Sequence, residues 1–342
     1  MSLVAGGHVP VADVSVATLF NIAAPAKVTV PVFAPNKHVP QSTADYCFRP
    51  EILRVLLLME DGMAGNNLYL SGPAGAGKTS VIEQMAARVN RGVLRVAGHG
   101  RFQAEDLVGR WVLSSKKMTE NGVVQLPQPE MDFHYGPLPI ALKEGHILLI
   151  DEVDLIPPNV TMGLNSVLDG APLFIPETGE TIVPHPNFRL VVTGNTNGTG
   201  DTSKVHFGTV RQNLAWLDRF IALPIGYMLK TEELPLVLKK APAMPEQMAS
   251  AMVDIANEVR ALFIGQHQEG AFNTSGQFID ATFSTRTLMR WVSIADAFQK
   301  TKVKKPINAA LQLALLNRVS PVARVAIVGI ARRVLGNDLI DE

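Results

Sequence analysis

Two spacings of apolar residues alternate along the chain. Ile52, Val55, Leu56 and Met59 recur at helical intervals and predict a helix over Pro50 to Met63. Gly65-Asn66-Asn67 breaks that pattern, and an apolar strand through Tyr69-Leu70 then runs into a glycine-rich stretch and a helix from about Lys78 to Val89. Gly92-Val93-Leu94-Arg95-Val96 predicts a second strand, and residues 98 to 110 a loop with a short helix. Trp111-Val112-Leu113 and Val123-Val124-Gln125-Leu126 flank a polar tip that holds Lys116, Lys117 and Asn121-Gly122, which predicts a hairpin insert at about 109–133. A helix begins at Gly136-Pro137-Leu138 and ends near Gly145. His146-Ile147-Leu148-Leu149-Ile150 is a continuous apolar run, as in a buried parallel strand, and closes on Asp151-Glu152.

Further on, a helix is expected from about Val160 to Leu168, and a second hairpin at about 172–184 around Thr178-Gly179. Phe188 to Thr193 reads as another buried strand, ending in Gly194-Asn195-Thr196-Asn197. Val210 to Trp216 starts a helix, and Ile221-Ala222-Leu223 is a short strand. Strands alternating with helices over residues 46–226 predict an α/β domain with a parallel sheet sandwiched by helices. From Tyr227 the pattern is helical only, with segments at Leu229 to Lys240, Glu246 to Ile264, Thr285 to Phe298, Ile307 to Leu316 and Val322 to Leu335. Residues 227–342 are therefore expected to form a smaller all-helical lid domain, with 265–280 a loop inside it. Residues 1–45, with Pro10, Pro25, Pro31, Pro35 and Pro40 among short β-branched runs, predict an extended arm packed on its own domain or on a neighbouring subunit.

Composition narrows the class without naming a ligand. The 342 residues are 47% hydrophobic and 18% charged, which excludes a disordered chain. Thirty-one basic and 31 acidic residues cancel, so net charge makes no case for nucleic acid. The single cysteine, Cys47, excludes an intramolecular disulfide and a cysteine-rich zinc site, and a reducing cytoplasm is the expected compartment. The apolar first 35 residues have no basic start and are interrupted by Asp13, Pro25 and Lys27, so neither a signal peptide nor a membrane span is expected. The eight histidines are scattered along the sequence and suggest no metal cluster. For His99, between two glycines, a hydrogen bond within its loop is the expected role.

The chemistry concentrates in Gly72-Pro73-Ala74-Gly75-Ala76-Gly77-Lys78-Thr79-Ser80, which has the spacing of a phosphate-binding Walker A loop between a strand and a helix. The glycines allow the backbone N–H groups to turn toward an anion, and the helix N-terminus points at the same place. Lys78 is expected to reach the terminal phosphates of ATP, and the Thr79 hydroxyl to hold Mg²⁺. Asp151 would hold the same ion, and Glu152 would polarise the attacking water. Asn195, at another strand end, can bridge the γ-phosphate and that water; a turn-forming asparagine is the alternative.

Together these features resemble an AAA+ ATPase. The hairpins ahead of the Asp151 and Asn195 strands resemble the helix-2-insert clade that includes the MoxR ATPases. Closer still is the similarity to the small ATPase subunit of aerobic cobaltochelatase, the CobS type. The residues that carry it include His38-Val39-Pro40, Tyr46, Phe48, Ile82 to Arg88, Asp106-Leu107-Val108-Gly109, Pro184 to Leu190, Gly198 to Thr202, Leu217-Asp218-Arg219 and Leu316-Asn317-Arg318. The phosphate loop departs from it, since CobS-type loops typically carry His-x-Gly-Thr-Gly where this chain has Pro73-Ala74 and Gly75-Ala76-Gly77. The resemblance implies that Arg219 is an arginine finger acting on ATP in the neighbouring subunit, with Arg211 a second trans-acting arginine. It also implies that Arg286 is the sensor arginine of the helical domain. A homo-oligomeric ring, a hexamer in most such proteins, would follow, with a von Willebrand factor A domain partner and a metalloenzyme client. Two other functions fit parts of the pattern: a motor on nucleic acid like the McrB GTPases of the same clade, and an ATP-gated assembly scaffold.

Overall fold

A computed structural model describes residues 10–62, 65–116, 119–120, 123–124, 128–200, 208–266 and 282–336. Two compact units emerge: the first gathers the chain up to Ser71, Lys78–Gly200 and Gly208–Pro224, and the second holds Gly72–Gly77 and the chain from Ile225 onward.

The first unit begins with a ribbon: β1 (Pro10–Ser15), a single helical turn α1 (Val16–Phe20) and β2 (Thr29–Phe33), with the two strands antiparallel. Phe20, Phe33 and Phe48 are buried, and the Arg91 guanidinium lies 5.0 Å from the Phe33 ring centroid, so this arm folds onto its own α/β unit. The core elements follow as α2 (Pro50–Glu60), β3 (Asn67–Ser71), α3 (Lys78–Val89) and β4 (Val93–Ala97). After α4 (Ala104–Val108) comes β5 (Gly109–Lys116), then the short pair β6 (Thr119–Glu120) and β7 (Val123–Val124), and then β8 (Gln128–Tyr135).

The hairpin here differs from its expected form. The partner of the Trp111 strand is β8, paired from Gly109↔Tyr135 to Lys116↔Gln128, whereas Val123-Val124 pairs only with Thr119-Glu120. Residues 129–135 alternate Pro, Met, Phe and Tyr with Glu, Asp and His, the period of two that marks a strand, but the Asn121-Gly122 turn signal placed the expected return strand at Val123 to Leu126 instead. Lys117 and Asn121-Gly122 at the expected tip lie outside the described residues, as do Asp201-Thr202 and nearly all of the 265–280 loop.

Helix α5 (Pro137–Glu144) starts on proline and stops at Gly145, whose φ of +70° closes the last turn. It delivers β9 (Ile147–Asp151). The expected Val160–Leu168 helix is broken into α6 (Pro158–Met162) and α7 (Asn165–Leu168) at Gly163, where the Thr161 hydroxyl turns back to the Pro158 carbonyl and to Gln212. The second hairpin is β10 (Leu173–Ile175) with β11 (Glu180–Ile182), and β12 (Arg189–Gly194) follows. The helix expected from Val210 begins only at Leu214: α8 (Leu214–Leu217) is capped by the Asn213 side chain, and Gln212 ahead of it is buried in hydrogen bonds to Val153 and Ile156 carbonyls. Strand β13 (Ile221–Pro224) ends the unit.

Five of these strands form one parallel sheet in the order β13-β3-β12-β9-β4. Its interior is the expected apolar one: Leu68, Leu70, Leu148, Ile150, Val191 and Val192 are fully buried. The order decides the site, because β12 lies between the strand that feeds the glycine loop and the strand that ends in Asp151. The C-terminal ends of all three strands therefore open on one edge, where α/β sheets bind ligands.

The second unit is helical: α9 (Lys230–Lys240), α10 (Glu246–Gln266), α11 (Thr285–Lys300), α12 (Pro306–Ala314) and α13 (Pro321–Leu335). Trp291 is fully buried, with its indole N–H donating to the Ile307 carbonyl at 2.9 Å. Among the described residues no helix is long and apolar enough to cross a membrane.

Candidate nucleotide site

The glycine loop takes backbone conformations that side chains resist. Gly72, Gly75 and Gly77 have φ of +145°, +75° and +93°. A Cβ on Gly72 would lie 2.0 Å from the Ile225 carbonyl oxygen, and one on Gly75 would lie 2.5 Å from Ser284 Cβ. A Cβ on Gly77 would meet no atom of the described residues within 4 Å beyond its chain neighbours. Tyr227 Oη donates to the Ala74 carbonyl at 3.2 Å, and Pro73 O accepts from Ala76 N. Ser80, on the first turn of α3, is exposed. Arg286, second residue of α11, is exposed beside Ser284, whose hydroxyl caps that helix.

At the strand ends the side chains converge. Thr79 Oγ1 donates to Asp151 Oδ1 at 2.8 Å, and Lys78 Nζ donates to Asn195 Oδ1 at 3.0 Å. The Thr193 hydroxyl donates to the same Asp151 oxygen and accepts from Glu152 N at 3.1 Å. Arg95 reaches Asp151 Oδ2 at 2.5 Å and Glu83 at 3.3 Å. Burial opposes ionisation of Asp151, but hydrogen bonds from Thr193, Thr79 and Arg95 outweigh it and hold the carboxyl below its ordinary range. Glu152 is exposed and sits in the left-handed region with φ +56° and ψ +46°, a conformation that costs a non-glycine residue about 1–3 kcal/mol. Such outliers cluster at working sites, and here the strand end turns so that consecutive acids face different ways.

Three participants were not legible as such in the sequence. Asp154 is fully buried, and its Oδ2 accepts from Asn195 N at 2.8 Å and Thr196 N at 3.1 Å, so it fixes the backbone that presents Asn195. Thr193 and Arg95 hold Asp151 from either side. An acid three residues past Asp151 is the one sequence signal that could have found the first of them; Thr193 and Arg95 become neighbours of Asp151 only through sheet register.

The remaining arginines lie elsewhere. Arg219 makes a fork to Asp169 of its own chain, with Nε to Oδ1 at 2.8 Å and Nη2 to Oδ2 at 2.9 Å. Arg211 is exposed, packed near Gly200. His99 Nδ1 accepts from Arg101 N within its loop. The histidines are less dispersed than the sequence suggests: His38 and His146 come together with Glu144.

An anion cradle, a lysine, a hydroxyl beside one carboxylate and a second carboxylate next to it make a set that fits a magnesium nucleotide. With this sheet order, they define an AAA+ P-loop ATPase. A family model described as AAA domain (dynein-related subfamily) matches residues 67–211, and one described as CbbQ/NirQ/NorQ C-terminal matches residues 233–323. The chain is thus an AAA+ ATPase with an AAA domain followed by a CbbQ/NirQ/NorQ C-terminal domain, and it is similar to CobS and NorQ. It is 29% identical over 340 residues to aerobic cobaltochelatase subunit CobS of Sinorhizobium, covering 97% of this chain and 93% of that one. Protein NorQ of Paracoccus denitrificans is 27% identical over 78% of this chain and 85% of its own. Among solved structures, a Thermotoga maritima RuvB mutant aligns over 80% of this chain and 69% of its own at 15% identity, with a TM-score of 0.47.

Proposed function

We propose that the chain is the motor subunit of a remodelling machine: a closed homo-oligomeric ring, hexameric, that spends ATP to change the conformation of a partner protein. The observation that carries this reading is the meeting of Lys78 with Asn195 and of Thr79 with Asp151 beside an exposed Glu152.

The loop from Gly72 to Gly77 turns N–H groups to the phosphates, and Lys78 Nζ neutralises the terminal ones. Thr79 Oγ1 and Asp151 would hold Mg²⁺, which would stabilise the charge that builds on the transferred phosphoryl group. Glu152 orients the attacking water and takes up its proton, while the Asn195 amide positions that water against the γ-phosphate. Arg219 leaves Asp169 and acts in trans on the neighbouring subunit's nucleotide; Arg211 assists from the same edge, and Arg286 reports nucleotide to the helical unit. The likeness to the cobaltochelatase subunit of Sinorhizobium supports a chelatase or another metalloenzyme as client, and the resemblance supports a von Willebrand factor A domain protein as the coupling partner.

Light scattering with and without ATP and Mg²⁺, on wild type and Glu152→Gln, with hydrolysis read from the same samples, tests the proposal. A nucleotide-dependent ring is expected, with Glu152→Gln still assembling while its turnover falls about 100-fold or more. A chain that stays monomeric under every condition would overturn the motor, and unchanged turnover in Glu152→Gln would remove that residue from its role.

A further inference from the structure

We propose that His38, Glu144 and His146 form a binding site for a borderline divalent transition-metal ion of the Zn²⁺ type, which clasps the N-terminal arm to the core. The ligands come from separate parts of the first unit. His38 lies between β2 and α2, with its N–H held by Asn36 Oδ1 at 2.9 Å and its carbonyl accepting from Val93 N at 2.9 Å. Glu144 ends α5 and His146 precedes β9, and the left-handed Gly145 between them turns the chain so that both side chains meet on one side.

One donor atom from each residue lies within 4.8 Å of the other two. His146 Nε2 is 2.9 Å from Glu144 Oε2, and the two imidazole centroids are 5.2 Å apart. His38 Nε2 is buried and has no hydrogen-bond partner among the described residues. A buried ring nitrogen stripped of water and given no protein partner loses its solvation without return, and a metal ion restores it. Two imidazoles and a carboxylate are a recognised zinc donor set that leaves the fourth position to water. Tetrahedral bonds of about 2.0–2.1 Å separate donors by roughly 3.3 Å, so the Glu144–His146 pair needs only a small opening to admit the ion. The Glu144 side chain is 44% exposed and gives ion and water a way in. Arg91, whose charge acts on His146, is itself ion-paired with Glu60 at 2.9 Å, which leaves Glu144 to offset the metal charge.

The site sits at the start of β9, whereas Asp151 ends that strand; at about 3.3 Å per residue the two are more than 10 Å apart. It is therefore separate from the magnesium ligands, and its position between arm and core gives it a structural role.

The test uses the full chain after chelator treatment, without nucleotide or magnesium. Titration with Zn²⁺ by calorimetry is expected to show a single equivalent and a raised Tm. His38→Ala should weaken Zn²⁺ binding by about 100-fold or more, whereas Thr79→Ala with Asp151→Asn should leave it intact. Co²⁺ loaded into the wild type should give the intense visible absorption of a tetrahedral ion, a readout that holds even where His38→Ala fails to fold. Absence of Zn²⁺ binding, equal affinity in folded His38→Ala, loss of binding in the Thr79/Asp151 variant, or the weak spectrum of octahedral Co²⁺ would each overturn the site.

Discussion

Asp154 has no accessible surface, yet its carboxylate holds the two N–H groups that follow Gly194. The Asn195 side chain is presented to Lys78 by that clamp and by the Tyr69 hydroxyl on the Thr196 carbonyl at 3.0 Å. Burial, reinforced by the charge of Asp154, pushes the Tyr69 hydroxyl well above its ordinary range, so it remains a donor at any working pH. Asp154→Ala is expected to lower kcat about 10- to 100-fold with KM for ATP little changed, because Asn195 loses its position while the phosphate cradle persists. Steady-state kinetics beside a melting curve checks this; a variant with normal kcat would remove Asp154 from the site. Gly72→Ala asks for a Cβ 2.0 Å from the Ile225 carbonyl at a φ of +145°, so it should abolish nucleotide binding or folding. Fluorescent-nucleotide titration of the variant would show unchanged affinity if that crowding were harmless.

Among elements, the helical unit is held at one end by a buried ion pair. Arg260 of α10 forks onto Glu233 of α9 at 2.7 and 2.8 Å, and its Nε donates to the Phe283 carbonyl at 2.6 Å. Both side chains are almost wholly buried. The pair therefore fixes the approach to α11 and, through Ser284 and Tyr227, the segment that stands against Gly75 and Ala74. Arg260→Leu strands a buried carboxylate and should cost about 3–5 kcal/mol, whereas Arg260→Leu with Glu233→Leu should recover much of it. Urea unfolding of both variants measures the difference. If Arg260→Leu were as stable as wild type, the pair would hold nothing together. A more exposed and weaker tie joins the two hairpins: the Lys143 ammonium on α5 lies 2.7 Å from Glu180 of β11 and 4.1 Å from the ring centroid of Tyr135 on β8.

For the whole molecule, the proposed ring makes one demand that a lone chain cannot meet. Arg219 is committed to Asp169 in its own chain, so a trans role requires that fork to open at an interface. Hydrogen bonding from Arg219 draws the Asp169 carboxyl below its usual range, which keeps the fork intact near neutrality until a partner competes for it. Mixing Arg219→Ala with Glu152→Gln, each inactive alone, should restore part of the hydrolysis, because some interfaces then pair an intact finger with an intact Glu152. A mixture as inactive as its parts would place Arg219 outside the trans site.

Spacing along the chain is enough to reveal the alternation of buried strands and amphipathic helices, the phosphate loop and the two acids at the end of an apolar run. These are local: spacing in a loop, periodicity in a helix and burial of a five-residue strand depend on neighbours in the chain. Only the folded chain reveals the pairing register of the long hairpin, the Thr193 and Arg95 contacts to Asp151, the Arg260–Glu233 pair and the meeting of His38 with Glu144 and His146. Each of these joins residues far apart in sequence, through strand order, register or the path of the arm. A polar group acquires its partner only once the core has closed around it.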